Sequence, residues 1–144
     1  MGLTAKYLAA TAIALGLSTQ PLLAQTTSTS DLPVEQTQGD VRFRTGGIGI
    51  DESTAFKNAI PRHSAALVFT SHSGGNNEYL ADVPVTITDA RGREVLRAAV
   101  GPYLLVDLPA GTYTATARYQ EQSLTRKFTV GGRKGTRVAF DWRR

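Results

Sequence analysis

The chain has 144 residues, 16 basic and 12 acidic side chains, a formal net charge of +4 and no cysteine. That length holds one domain, and the absence of thiols excludes a disulfide framework, thiol catalysis and every zinc site built on thiolates. With two histidines and one tryptophan, the chain has few groups for metal or acid-base chemistry, and its core must come from ordinary apolar side chains.

Met1 to Ala24 carries one basic residue, Lys6, then the uncharged run Tyr7 to Leu17, then Ser18-Thr19-Gln20-Pro21 and Leu22-Leu23-Ala24. This order is that of a secretory signal peptide, expected to be cut after Ala24, with an uncleaved anchor as the alternative. The apolar run is shorter than the roughly 20 residues that span a bilayer, and nothing later is long or apolar enough to cross one. The mature chain is expected in the periplasm or medium. Gln25 to Asp40 is rich in Thr, Ser and Gln without periodicity, and reads as a flexible lead-in.

Val41 to Arg44 alternates apolar and basic residues before Gly46-Gly47-Ile48-Gly49 interrupts the chain. Asp51 is the expected N-cap of a short helix over Glu52 to Ile60, ended by Pro61, so residues 41–63 form an extension ahead of the main domain. From Ser64 the period becomes two, the mark of half-buried strands. Ala65, Leu67 and Phe69 share one face of a first strand, after which Ser73 to Asn77 reads as a loop. Val83, Val85 and Ile87, then Leu96, Ala98 and Val100, then Leu104, Val106 and Leu108 align in the next three. Tyr113, Ala115, Ala117 and Tyr119 follow, and Leu124 to Val130 and Thr136 to Trp142 close the chain as a last hairpin. Seven short strands at regular spacing predict an all-β antiparallel sandwich with one short N-terminal helix. Pro84 predicts an edge strand or a bulge.

The run Leu108-Pro109-Ala110-Gly111-Thr112-Tyr113 resembles the corner of carboxypeptidase regulatory-like domains, also called prealbumin-like or transthyretin-like sandwiches. Val83-Pro84-Val85-Thr86-Ile87-Thr88-Asp89 followed by Gly92-Arg93-Glu94-Val95 is similar to the V-x-V-x-x-x-D and G-x turn of that family. The likeness spans Ser64 to Trp142 and implies a seven-stranded prealbumin-like sandwich of the small exported bacterial type. It implies no established activity. The family's enzymatic relatives need residues this chain lacks. A zinc carboxypeptidase needs His-x-x-Glu, yet His63 precedes Ser64-Ala65-Ala66 and His72 precedes Ser73-Gly74-Gly75. A hydroxyisourate hydrolase ends in Tyr-Arg-Gly-Ser, whereas this chain ends Asp141-Trp142-Arg143-Arg144.

The two histidines flank the first strand about 30 Å apart at ~3.3 Å per residue, so they cannot share a metal or a proton relay. They read as solvent-facing strand ends. No G-x-S-x-G is present, and Gly46 to Gly49 lacks the Lys of a P-loop, which leaves it a hinge. Residues 118–144 hold eight basic and two acidic side chains. Arg126, Lys127, Arg133, Lys134 and Arg137, with Arg143 and Arg144, are the candidate basic face of the last hairpin. Edge protection against strand addition is the simpler account of the same residues. Tyr113, Tyr119, Phe140 and Trp142 fall on inward phases, while Tyr79 and Tyr103, near loop ends, are the candidate ligand-facing aromatics. The expected protein is not an enzyme. It is a binding or structural module of the cell envelope, without cofactor, metal or nucleic acid, whose partner is an envelope protein or an anionic surface. The rivals are a hydrolase with an atypical site in the loop Ser71 to Tyr79, and an envelope-surface binder acting through the basic hairpin.

Overall fold

The computed structural model describes residues 32–132 and 134–143. The expected signal peptide, Gln25 to Asp31, Arg133 and Arg144 lie outside the described residues.

Ten strands form in chain order: β1 (Gln36–Gln38), β2 (Val41–Gly46), β3 (Ala65–Ser73), β4 (Asn76–Tyr79), β5 (Val83–Thr88), β6 (Glu94–Val100), β7 (Tyr103–Asp107), β8 (Gly111–Tyr119), β9 (Gln122–Val130) and β10 (Thr136–Arg143). Among the described residues one α-helix, α1 (Ile50–Ala59), separates β2 from β3 and continues into a 3-10 turn over Ile60–Arg62. The strands make two sheets. The larger has the order β1-β2-β7-β3-β10, with β4 beside the far half of β3, and the smaller has the order β6-β5-β8-β9. The all-β sandwich expected from the period-two pattern is present, with three more strands than expected.

The extra strands arise where composition hides pairing. Gln36–Gln38, inside the polar lead-in, pairs antiparallel with Val41–Phe43 around the Gly39-Asp40 turn. β2 pairs along its length with β7, so residues before Ser64 build the larger sheet. The loop expected at Ser73 to Asn77 is a hairpin instead: Gly74 and Gly75, at φ 57° and 86°, turn the chain back so that β4 pairs with β3.

A second departure concerns direction. The final two strands do not form a hairpin, because the Gly131 to Gly135 link crosses from the smaller sheet to the larger. β10 then runs parallel to β3 over eight residue pairs, from Thr136 opposite Ala65 to Arg143 opposite His72. The Gly135 N–H, bonded to the His63 carbonyl at 2.7 Å, anchors the crossing. The sandwich is therefore antiparallel except at this one pair.

β5 is an interior strand of the smaller sheet, contrary to the edge position expected from Pro84. The proline is tolerated because its residue pairs only with β6, at Ala99, whereas the pairing of β5 with β8 begins one residue later at Val85. The missing N–H falls where a second ladder has not started. The expected bulge does occur in β5, between Ile87 and Thr88.

Two apolar cores result. The main one lies between the sheets and includes Leu67, Phe69, Ile87, Leu96, Leu104, Phe140 and Trp142, all buried. The second lies on the outer face of the larger sheet, where Phe56 and Ala59 of α1 cover Ala66, Val68, Tyr103 and Leu105. β3 is thus buried on both faces near its start, which explains its unbroken apolar run Ala65 to Phe69. The helix begins at Ile50 behind Gly49, with no side-chain cap, so Asp51 is not the N-cap. Glu52 instead accepts the Gly47 N–H at 2.6 Å, placing its negative charge by the positive end of the helix. Among the described residues no helix is long and apolar enough to cross a membrane.

Candidate functional site

One end of the sandwich gathers the β1-β2 turn, the β5-β6 turn and the β7-β8 corner around an open groove of about 600 Å³. The motif residues line it, and their polar groups are tied to backbone. Asp89 accepts the N–H groups of Arg91 (2.9 Å) and Arg93 (3.0 Å) and pairs with the Arg93 guanidinium. The Arg93 N–H, helped by the Arg91 N–H and the Arg93 side chain and opposed by desolvation, holds its carboxyl below the usual 3.8. A carboxyl depressed in the folded state stabilises the fold above its unfolded value, and that gain is lost as pH falls through the folded value. Asp89→Asn is expected to lower stability at neutral pH and to converge on the native protein in strong acid, as urea unfolding across pH would record.

Tyr113 donates its hydroxyl to the Pro109 carbonyl at 2.6 Å and stacks on Phe128 with ring centroids 5.8 Å apart. Burial, with a smaller contribution from Asp89, raises its phenol above the ordinary value. The L-P-x-G-x-Y motif is thus a tyrosine-locked corner. Tyr113→Phe is expected to cost about 1 kcal/mol, measurable by thermal unfolding. Gln38 makes a comparable clamp across the sheets: its amide donates to the Arg97 carbonyl (3.0 Å) and accepts the Arg97 N–H (2.7 Å). It takes the place of a neighbouring strand on the free edge of β6.

The histidines are not the bare strand ends expected. His63 is largely buried, with its Nδ1 3.2 Å from Asp107, whose other oxygen accepts the Ser64 N–H. His72 lies within β3 and holds Asp141 of β10 at 2.9 Å through Nε2. Each acidic partner is far away in sequence and arrives by strand pairing, so no motif around either histidine announced it. Both histidines sit on β3 or beside its start, and they remain apart as expected.

The candidate basic residues disperse. Arg126 falls on the inward phase of β9, between Leu124 and Phe128, and is exposed at the sheet edge. Lys127 points to the opposite side. Arg137 lies on the outer face of the other sheet, Lys134 is exposed on the crossing link, and Arg133 is outside the described residues. Among the described residues no single basic face forms, because β9 and β10 belong to different sheets. An inward-phase charge on an edge strand is a device that discourages strand addition.

The outer face of the larger sheet carries a more organised set. α1 covers only part of it, and strand register sets out the rest as rows across three strands. Tyr79, Thr70 and Asp141 lie side by side, then Asn77, His72 and Arg143. On the other side of Tyr79 the row is Tyr103, Val68 and Ala139, and Arg137 stands one step further beside Ala66. Thr70 donates to Asp141 at 3.3 Å, and Arg143 pairs with Asp141 at 3.4 Å. Next to this face a recess of about 330 Å³ is lined by His72, Gly74, Gly75 and Arg143.

Tyr79 is 53% exposed, as a ligand-facing aromatic should be, but Tyr103 is fully buried and not a surface residue. It lies inside a column of stacked rings, 5.7 Å from Phe56 and 5.9 Å from Tyr79. β7 has both faces covered at this point, which proximity to the Gly101-Pro102 break did not suggest. The Tyr103 hydroxyl is buried, with the Tyr79 phenol beside it. Burial pushes its phenol up to about 12, with the neighbouring Tyr79 phenol adding to the rise and Arg137 opposing it.

A family model described as the Rhizobiales growth-associated tandem repeat domain matches residues 66–140, more than half of the chain. The chain belongs to that family. A comparison with curated proteins returned no match. The matched repeat opens within β3 and closes within β10, so it contains the whole smaller sheet and part of the parallel pair. β1, β2 and α1 stand outside it, although β2 completes the larger sheet and α1 covers its outer face. The repeat includes Tyr79, Tyr103 and the L-P-x-G-x-Y corner. It also includes all the candidate basic residues as far as Arg137.

Proposed function

We propose that the chain is a non-catalytic, exported β-sandwich that serves as a binding module of the cell envelope, in the periplasm or medium. The observation that carries this reading is the use made of its acid-base groups. Asp89, Asp107 and Tyr113 are spent on backbone N–H and carbonyl groups, where they hold turns and strand ends in place. Groups fixed to backbone in this way are poorly placed to accept or deliver protons in a reaction cycle. The leader-like N-terminus supports export, and membership of a tandem repeat family supports a modular binding role. Kinship with carboxypeptidase regulatory-like, prealbumin-like domains is part of the same reading. It is supported by the sandwich architecture and by the corner in which Tyr113 locks Pro109.

Two measurements test it. Alkaline phosphatase fused after Asp40 should be active, since that enzyme gains its disulfides only outside the reducing cytoplasm. The purified chain should give a flat screen against ester, amide and phosphoester substrates. Turnover that is abolished by His72→Ala would overturn the non-catalytic reading in favour of the atypical hydrolase, and an inactive fusion would overturn export.

A further inference from the structure

We propose that the uncovered half of the larger sheet's outer face binds a saccharide chain bearing carboxylate groups, with Tyr79 as its stacking platform and Arg137 as its carboxylate partner. This rests on the reading of the protein as a binding module and assigns that module its surface and ligand class.

The first argument is the platform. Tyr79 exposes one ring face while its other face rests on Tyr103, which in turn rests on Phe56. A ring clamped in this way loses little further freedom when a ligand stacks on it, so less of the contact energy is spent on ordering. An aromatic face beside hydroxyl, amide and charged planar groups matches a pyranose, which offers an apolar C–H face and a rim of hydroxyls. Thr70, Asn77 and Asp141 supply such groups in the adjoining positions.

The second argument is charge. Asp141 is already held by His72 and Arg143, whereas Arg137 forms no ion pair among the described residues. The face therefore offers an unspent guanidinium, whose planar fork suits a carboxylate. At ~4.8 Å between strands and ~6.6 Å between same-face residues, the three strands span about 10 Å and the Tyr79 and Arg137 rows lie about 13 Å apart.

Calorimetric titration of the folded chain with oligomers of galacturonate, glucuronate and mannuronate, and with cellotetraose as the uncharged control, tests the proposal. Saturable binding to at least one uronate oligomer is expected, weaker at high salt and stronger than to cellotetraose. Tyr79→Ala should weaken it by about tenfold or more with an unchanged circular dichroism spectrum, because the side chain is exposed. Arg137→Gln should remove the preference for uronate over cellotetraose. No binding to any uronate oligomer, or binding indifferent to Tyr79→Ala, would overturn the proposal and leave the module reading standing. Binding followed by cleavage of the oligomer would uphold the face and overturn the non-catalytic reading.

Discussion

Replacing Trp142 by alanine is expected to remove about 3–5 kcal/mol of stability, the largest loss from any single side chain in the sandwich. Trp142 is 1% exposed, and its ring packs on Phe140 at 6.2 Å and edge-on against Tyr119 at 5.7 Å. Its indole N–H donates to the Gln122 carbonyl at 3.0 Å. β10 and β9 are edge strands of different sheets, so this bond fastens the open side of the sandwich where no backbone ladder can. Thr136, donating to the Thr129 carbonyl at 3.4 Å, makes a second tie between the same strands. A domain of this size has about 5–15 kcal/mol in total, so the alanine variant should melt on the order of 15 °C lower. Trp142→Phe, which keeps most of the ring and orphans the carbonyl, should lose about 1–2 kcal/mol. Far-ultraviolet circular dichroism is the appropriate probe, because the chain has only this one tryptophan. A loss below 1 kcal/mol in the alanine variant would mean that the seam is held elsewhere.

Gly47→Ala is expected to be the most damaging small change, costing about 2–4 kcal/mol. The backbone there has φ 103°, a region L-residues avoid, and an added Cβ would run into the ring of Tyr103. Tyr103 cannot give way, since Phe56 and Tyr79 hold it on both sides. Gly49 provides the control, with φ 93° and open space where its Cβ would be. Gly49→Ala should carry only the backbone penalty of about 1–3 kcal/mol. The difference between the two variants in urea unfolding isolates the contact with the aromatic column. Equal losses would show that backbone strain alone accounts for both.

These effects bear on how the Gly-Gly-Ile-Gly segment should be understood. Composition suggests a hinge, yet Gly47 is buried against Tyr103, and its N–H is held by Glu52. The glycines let the chain pass close over an aromatic ring on its way from β2 into α1. Glycine spacing alone could not distinguish a hinge from a close passage, because both need a residue without Cβ.

Much of the fold was legible because period-two patterning responds directly to burial. Leu67, Phe69, Val85, Ile87, Leu96, Leu104, Phe140 and Trp142 were all assigned inward phases from the sequence, and all are in the main core. The tyrosine corner was legible too, since its Pro and Gly dictate a turn whatever surrounds them. What remained hidden depended on partners distant in the chain. β1 and β4 are short, exposed and polar, and are strands only because β2 and β3 offer them a ladder. Asp107 and Asp141 meet their histidines 44 and 69 positions away, through pairings no local spacing encodes.

The candidate site divides in the same way. Tyr79 could be singled out from its place next to a glycine-rich turn, but the buried role of Tyr103 could not. Its alternation phase is that of the outer face, which is solvent-facing in a bare sandwich and buried here because α1 lies over it. The basic C-terminal residues were evident as a cluster in sequence and are scattered in space, because one five-residue link changes sheets instead of reversing direction.

By itself, then, the sequence determined an all-β domain without disulfides, the inward phase of its principal strands, its locked corner and its excess of basic charge near the end. These follow from side-chain chemistry and from a repeat of two, both local. Only the tertiary structure decided that β10 runs parallel beside β3, that the histidines are paired, and that Tyr103 lies beneath Tyr79 at the margin of an uncovered polar face. Those outcomes depend on which strands become neighbours, a choice made by the packing of the whole core.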